Sequence, residues 1–358
     1  MMVGYAAKAN NSLRSLHADR MKVIFDCSVP FLFAHGGMQV QIEQTQLALE
    51  KVGVAVEPLR WWDGKQEGNI LHYFGRISLG IIELAHRKGL KVVNNDLLGG
   101  AGARPAWRLK LQRLFKRAAE PLLPPYITTA LNWTSHRQAD ACIALTAREA
   151  HLLNYLFRVP LDRIHVVPNG VEEVFLESSP AKRGEWLVCT ATIIELKQVL
   201  KLAQVAVQAK TPLWIIGRPH LETDEYAGRF RDFARQHASL IRYEGPVAGR
   251  QQLADIYRQA RGFILLSKWE SLSLSALEAS ACECPLLLSD LPWARKFFKD
   301  KATYCPANKS IEATAPVLRD FYDKAPLLPL PPKPLSWVDV ARQLKDVYLS
   351  VMKSTAGG

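Results

Sequence analysis

Residues 263–295 read FILLSKWESLSLSALEASACECPLLLSDLPWAR. Phe263 to Leu266 form a short apolar run bounded by Gly262 and Ser267, the pattern of a strand buried on both faces of a parallel sheet. Ser271 and Ser273 are favoured helix caps, and Leu274, Leu277 and Ala281, with Ala276, make one apolar stripe at helical spacing. A helix is therefore predicted to begin there, with Glu270 in the loop before it and Glu278 on its second turn. A helix that starts beside the carboxyl end of a parallel strand aims free backbone N–H groups and a positive dipole end into the crevice, which suits a phosphate. Two carboxylates bracketing such a site can hold hydroxyls. Together they suit a nucleotide-sugar: Glu270 for sugar hydroxyls, the N–H groups for diphosphate, Glu278 for ribose. The competing reading makes either glutamate a solvated helix-face charge.

Outward from this stretch, strand and helix patterns alternate. The first half predicts strands at residues 21–26, 55–59, 69–74 and 91–94, with helices at 39–51 and near 78–88. The second half repeats that grammar, with a buried strand at 213–216. The expected class is α/β with two doubly wound domains that bind ligands at the carboxyl ends of their strands. A chain of 358 residues, 48% hydrophobic and 22% charged, can supply both cores. The expected divisions are a flexible segment at 1–20, a first domain at 21–170, a linker at 171–183, a second domain at 184–325, and a tail at 326–358. Apolar periodicity gives way to Gly, Glu, Ser and Pro around 169–183. In the tail, APLLPLPPKPL at 325–335 predicts a non-helical connector, and Ser336 starts an amphipathic helix through Val340, Leu344, Val347 and Val351.

The run from Glu270 through Ser-Leu-Ser-Leu-Ser-Ala-Leu to Glu278, followed by Ala-Ser-Ala-Cys-Glu-Cys-Pro, resembles the retaining glycosyltransferases of family 4. Their hallmark is a Glu, seven residues and a second Glu between a strand and a helix. These are two-domain enzymes of the GT-B architecture. The family usually has glycines where this chain has Ser271 and Ser273, which makes the loop stiffer here. HVVPNGV at 165–171 resembles the strand and turn that close the family's first domain, and Asn169-Gly170 is a turn signal by itself. Gly36-Gly37, in the loop after the first strand, resembles the glycine-rich segment facing the donor phosphates, although a Gly pair also serves as a plain turn. WLVCTATIIELK at 186–197 resembles the opening of the second domain, where the family places an Arg and a Lys on the diphosphate. Lys197 matches the lysine, whereas Thr192 falls at the arginine. Arg218, just past the strand at 213–216, could restore that charge or be a solvated loop residue. Asn95 or Asp96 falls where many relatives carry a His, unless residues 94–96 merely turn the chain.

The resemblance implies two Rossmann-like domains facing a central cleft. It implies transfer of a hexose-type sugar, with retention, from a nucleotide-diphosphate-sugar to a hydroxyl of a glycan or lipid-linked glycan. The catalytic candidates are Glu270, Lys197 and Asp96. The donor candidates are Gly36, Gly37, Thr192, Lys197, Arg218, Glu270, Ser271, Leu272, Ser273, Leu274, Ser275 and Glu278. No Asp-x-Asp motif occurs, so neither a metal nor a cofactor beyond the co-substrate is expected. Three alternatives stand: a catalytically silent GT-B protein that binds a nucleotide-sugar or glycan, a GT-B sugar epimerase, and a nicotinamide oxidoreductase. The last lacks a Gly-x-Gly-x-x-Gly after the first strand.

A net charge of +12 and a pI near 9.4 call for an acidic neighbour. The charge concentrates in RPAWRLKLQRLFKR at 104–117, where Trp107, Leu111, Leu114 and Ala118 share one helical face. Arg108, Lys110, Arg113, Lys116 and Arg117 populate the rest. Such a helix either docks its apolar stripe on its own domain or lies on anionic lipid heads. No nucleic-acid module is recognisable, and nucleic acid is not an expected partner. Trp61-Trp62 and residues 97–104 belong to the expected acceptor side, with the two tryptophans read as core. Six cysteines without paired CxxC spacing, and no apolar core in residues 1–20, lead to the expectation of a cytoplasmic protein, peripheral at the inner membrane face. No apolar run reaches the length of a membrane span.

Overall fold

The computed structural model describes residues 21–33, 35–178 and 181–353. The segment expected to be flexible, 1–20, lies outside them. Within the described residues, twelve strands form two six-stranded sheets, parallel throughout. The first lobe holds β1 (Lys22–Cys27), β2 (Ala55–Pro58), β3 (Ile70–Phe74), β4 (Lys91–Asn95), β5 (Ala141–Ala144) and β6 (Ile164–Val166), ordered β2-β1-β3-β4-β5-β6. The second holds β7 (Leu187–Thr190), β8 (Leu213–Ile216), β9 (Ile241–Tyr243), β10 (Gly262–Leu265), β11 (Leu286–Ser289) and β12 (Thr303–Cys305), ordered β12-β11-β10-β7-β8-β9.

These orders locate the ligand crevices. Strand order reverses between β1 and β3 in one sheet and between β7 and β10 in the other, and doubly wound sheets bind ligands outside the carboxyl ends at such points. The loops leaving β1, β7 and β10 carry the glycine pair, Lys197 and Glu270. Every residue of β10 is buried, as its unbroken apolar run requires. The helix after it spans Leu274–Ala281, with Ser273 as cap accepting the Ala276 N–H at 3.4 Å. The helix after β1 begins at Gly37, two residues earlier than its periodicity indicates.

The chain crosses between lobes twice. The segment expected as a linker carries a short helix, Glu173–Leu176, and the proline-rich connector opens with a 3-10 turn, Ala325–Leu327. Pro326 is tolerated there because the first turn of a helix needs no N–H from it. The two crossings run side by side: Val171 N–H donates to the Leu335 carbonyl at 2.9 Å, and Trp337 N–H to the Val171 carbonyl at 3.1 Å. The final helix, Trp337–Lys353, then packs on the first lobe. It contributes Trp337, Val340, Leu344, Val347, Tyr348 and Val351 to the core shared with Val23, Phe25 and Ile42. At about 1.5–3 kcal/mol per fully buried apolar side chain, that helix is an integral part of the first lobe.

Two surface expectations change. Trp61 and Trp62 are exposed, the second fully, in a loop whose surface carries ion pairs of Arg60 with Glu57 and Asp63. The basic helix, Ala106–Ala119, docks in the opposite sense to its sequence pattern: Leu109 and Lys116 are buried, whereas Trp107, Leu111, Leu114 and Phe115 face outward. The Lys116 ammonium lies 4.1 Å from the centroid of the Phe157 ring and 5.5 Å from that of Trp133. Burial lowers the Lys116 pKa to about 8. Arg113 covers the Tyr155 ring in the same way, so aromatic faces hold the cations inward and leave Leu111 and Leu114 exposed.

In the first core, His72 Nδ1 lies 2.6 Å from the Tyr348 hydroxyl of the final helix, and burial lowers its pKa to about 3. The folded state thus holds a neutral imidazole where the unfolded chain takes up a proton near pH 6.5. The stability this provides is complete above about pH 6.5 and is lost as pH falls toward 3. Thermal melts should show a loss of stability across that window in the wild type and a shallower one in His72→Gln.

Candidate active site

Two loops of the second lobe build the floor of the cleft. The loop after β7 ends in a 3-10 turn, Glu195–Lys197, closed by Gln198 in the left-handed region, whose side chain donates to the Leu266 carbonyl at 2.6 Å and the Ala307 carbonyl at 3.2 Å. The loop after β10 is zipped to it, since Lys268 N–H donates to the Leu196 carbonyl at 2.9 Å. These bonds bring the Lys197 ammonium onto a Glu270 carboxylate oxygen as a mostly buried ion pair. Removing one partner would strand the other charge, so each holds the other in place.

The first lobe supplies the facing wall. Gly36 caps the Gly37–Lys51 helix with φ 132°, a conformation open to glycine, and a Cβ there would lie 3.3 Å from Thr192 Oγ1. No side chain caps that helix, so its amino end presents backbone N–H groups and a positive dipole end. The amino end of the Leu274–Ala281 helix faces the same cavity. The cleft encloses about 500 Å³ and is lined by twelve predicted residues: Gly36, Gly37, Thr192, Lys197, Arg218, Glu270, Ser271, Leu272, Ser273, Leu274, Ser275 and Glu278.

Asp96 is not among them. Its carboxylate turns into the first lobe, where His136 Nε2 lies 2.9 Å and Arg76 Nε 3.2 Å away. Burial works to raise its pKa, but the bonds and charges of His136 and Arg76 outweigh that and hold it below the usual carboxylate range. Asp96, expected as a catalytic residue, is held by His136 and the half-exposed Arg76 and is not among the residues lining the cleft. Asn95 is buried beside a small void with Gln41, His72 and Asn169.

Three residues missed in the sequence also line the cleft: His35, Asn169 and Arg250. His35 bonds the backbone carbonyl of Arg218 and packs edge-on to His220, with ring centroids 4.8 Å apart, joining the lobes above the cavity. Burial first, and then the Arg218 charge, lower the His35 pKa. Asn169 does more than turn the chain, because its Nδ2 donates to the Leu272 carbonyl at 3.2 Å and pins the Glu270 loop. Arg250 opens the helix after β9 and could have been sought as a cation at a helix start on the ligand edge. Among the described residues, no group of three or more His, Cys, Asp or Glu could hold a metal ion.

The lobes meet backbone to backbone. Gly99 N–H donates to Ser271 Oγ at 3.0 Å, and a Cβ on Gly99 would lie 2.6 Å from the Glu270 carbonyl carbon and the Ser271 nitrogen. Ser271 in turn bonds the buried Glu149 carboxylate, which accepts the Leu98 and Leu145 N–H groups at 2.9 and 3.0 Å. The serine that replaces a family glycine is thus a docking group between the lobes.

This fold and site define a GT-B protein. Residues 194–330, which take in most of the second lobe, match the family model described as Glycosyl transferases group 1. A D-inositol 3-phosphate glycosyltransferase of Jonesia denitrificans is 31% identical over 179 residues, covering 43% of this chain and 42% of that protein. The enzyme of the same name from Xylanimonas cellulosilytica is 29% identical over 228 residues, covering 56% and 48%. The chain therefore spans less than half the length of these curated relatives. Among solved structures, sucrose-phosphate synthase from Thermosynechococcus elongatus superposes with a TM-score of 0.68 at 14% identity, over 94% of this chain and 100% of that one. Anabaena HepE in complex with UDP and glucose gives 0.61 at 11% identity, over 92% and 100%. At such identities these two establish the fold alone.

Gly99→Ala should force the lobes apart. Overpacking against a backbone costs about 1–3 kcal/mol, so the variant should melt lower and show a larger radius of gyration by solution scattering.

Proposed function

We propose that this protein is a retaining glycosyltransferase that moves a hexose-type sugar from a nucleotide-diphosphate-sugar to a hydroxyl of a glycan or lipid-linked glycan. The observation that carries the reading is the Lys197–Glu270 ion pair, set in one cleft with Glu278 and with the amino ends of two helices. The ligands of the HepE structure, UDP and glucose, support a nucleotide-sugar as donor class.

In this reading Lys197, Arg218 and the backbone N–H groups at Gly37 and Leu274 receive the diphosphate, while Glu270 orients the sugar and Glu278 the ribose. The acceptor oxygen bonds to the anomeric carbon on the face from which the diphosphate departs. The carbon–oxygen bond to phosphate breaks, and the acceptor proton passes to the leaving phosphate oxygen. The protein's part is electrostatic stabilisation of the departing diphosphate and positioning in a closed cleft. We propose that Lys197, Arg218 and the backbone N–H groups serve in place of a metal. Thr192, a hydroxyl where the family has a guanidinium, favours the second reading of a silent donor-binding protein. Release of nucleoside diphosphate from a donor panel distinguishes the two.

We further propose that the Ala106–Ala119 helix seats the protein on an anionic lipid surface at the inner membrane face. Its outward Trp107, Leu111, Leu114 and Phe115 are flanked by exposed Arg104, Arg108, Lys110 and Arg117, a charge match to acidic headgroups. Among the described residues, no helix is long and apolar enough to cross a membrane. The six cysteines are free thiols, and we propose a reducing, cytoplasmic compartment.

Glu270→Ala and Lys197→Ala should each lower turnover at least about 100-fold, and wild-type rates in both would overturn the catalytic assignment. In flotation assays the wild type should bind phosphatidylglycerol vesicles and not phosphatidylcholine ones. Trp107→Ser with Leu111→Ser should abolish that binding with the melting temperature unchanged.

A further inference from the structure

Glu278 does not stand alone in its corner of the cleft. Arg250 Nη2 lies 2.5 Å from Oε1, and the Tyr257 hydroxyl lies 3.3 Å from Oε2. The guanidinium sits 4.7 Å from the centroid of the Phe175 ring, and its Nε donates to both oxygens of Glu172 at 2.9 and 3.0 Å. Glu172 caps the Glu173–Leu176 helix in the crossing between lobes, and Gln44 of the first lobe reaches it at 3.5 Å. Arg250 is thus fastened at the seam by one carboxylate while it grips a second that faces the cavity.

Buried carboxylates without a counter-charge take up a proton. Facing Glu278 are Arg250 and Tyr257 from the Arg250–Gln259 helix, Glu172 from the crossing, and Cys282 one turn along its own helix. Burial keeps Tyr257 and Cys282 neutral, so Arg250 is the cation of this set and Glu172 adds a like charge. Burial pushes Glu278 above the usual carboxylate range, and Arg250 opposes it without cancelling it. An ionised carboxylate offers about four acceptor sites, and Arg250 and Tyr257 use two; a neutral carboxyl loses the acceptor character that a pair of vicinal hydroxyls needs.

We propose that Arg250, anchored by Glu172, is a positioning residue that holds Glu278 as the acceptor for the ribose hydroxyls of the donor, and so sets preference for a ribonucleotide over its deoxy form. The inference rests on the ribose role of Glu278 read above.

The test measures binding of UDP and 2′-deoxy-UDP by calorimetry at about pH 6 and pH 8.5, repeated with the guanine and adenine pairs. Wild type should prefer the ribonucleotide by about 10-fold at both pH values, the worth of one charged hydrogen bond. Arg250→Met should lose that preference at the lower pH and regain part of it at the higher, and Arg250→Lys should fall between. A merely structural Arg250 would weaken both ligands alike and leave their ratio untouched. Equal preference in Arg250→Met and wild type, or a loss with no pH dependence, overturns the proposal. No binding by wild type, or full preference in Glu278→Ala, overturns the ribose reading itself. Should Arg250→Met fail to fold, Glu172→Gln decides. It keeps the cation but loosens its anchor, and should lower the preference about threefold at both pH values; an unchanged preference overturns the anchored arrangement.

Discussion

The Lys197–Glu270 ion pair is the contact on which the cleft depends. Both groups are largely withdrawn from water, which is costly unless each finds the other. They meet because β7 and β10 are adjacent at the point where strand order reverses, so their loops leave the sheet edge side by side. Backbone bonds between those loops then hold the ammonium over the cavity. A site assembled this way keeps a cation in position before any anionic ligand arrives, which is what electrostatic preorganisation requires.

The lobes are coupled through contacts that tolerate little change. Gly99 lies against the backbone of the Glu270 loop, Ser271 links that loop to Glu149, and the crossing chains pair at Val171 and Ser336. Because the first lobe's backbone touches the loop that carries Glu270, movement of one lobe reaches that carboxylate directly. The Glu172–Arg250–Glu278 chain repeats the principle at the other end of the cleft, where a residue of the crossing reaches a carboxylate in the cavity.

On the outer face of the first lobe, the Ala106–Ala119 helix inverts the usual rule for an amphipathic segment. Cations over aromatic rings can replace apolar burial at modest cost, and here Lys116 and Arg113 do so. The stripe of Trp107, Leu111 and Leu114 is thereby released to the surface, beside Arg108 and Lys110.

Alternating strand and helix patterns, the buried run at β10, the caps before Leu274 and the spacing of Glu270 and Glu278 were legible in the order of residues, because backbone periodicity and capping are local. So was the membership of the cavity, in large part: local motifs set which loops follow which strands, and doubly wound sheets put those loops on one edge. Asp96, Arg250, His35 and the sense in which the basic helix docks were not legible. Their roles depend on which lobes and helices come to face one another: Asp96 is claimed by His136 and Arg76, and Arg250 finds Glu172 only where the crossing passes. The residue order alone determined the layers, the loops and the chemistry available in them. Tertiary structure decided which charges were spent internally and which were left facing the cleft, because a buried ionic group is held by partners distant in the chain.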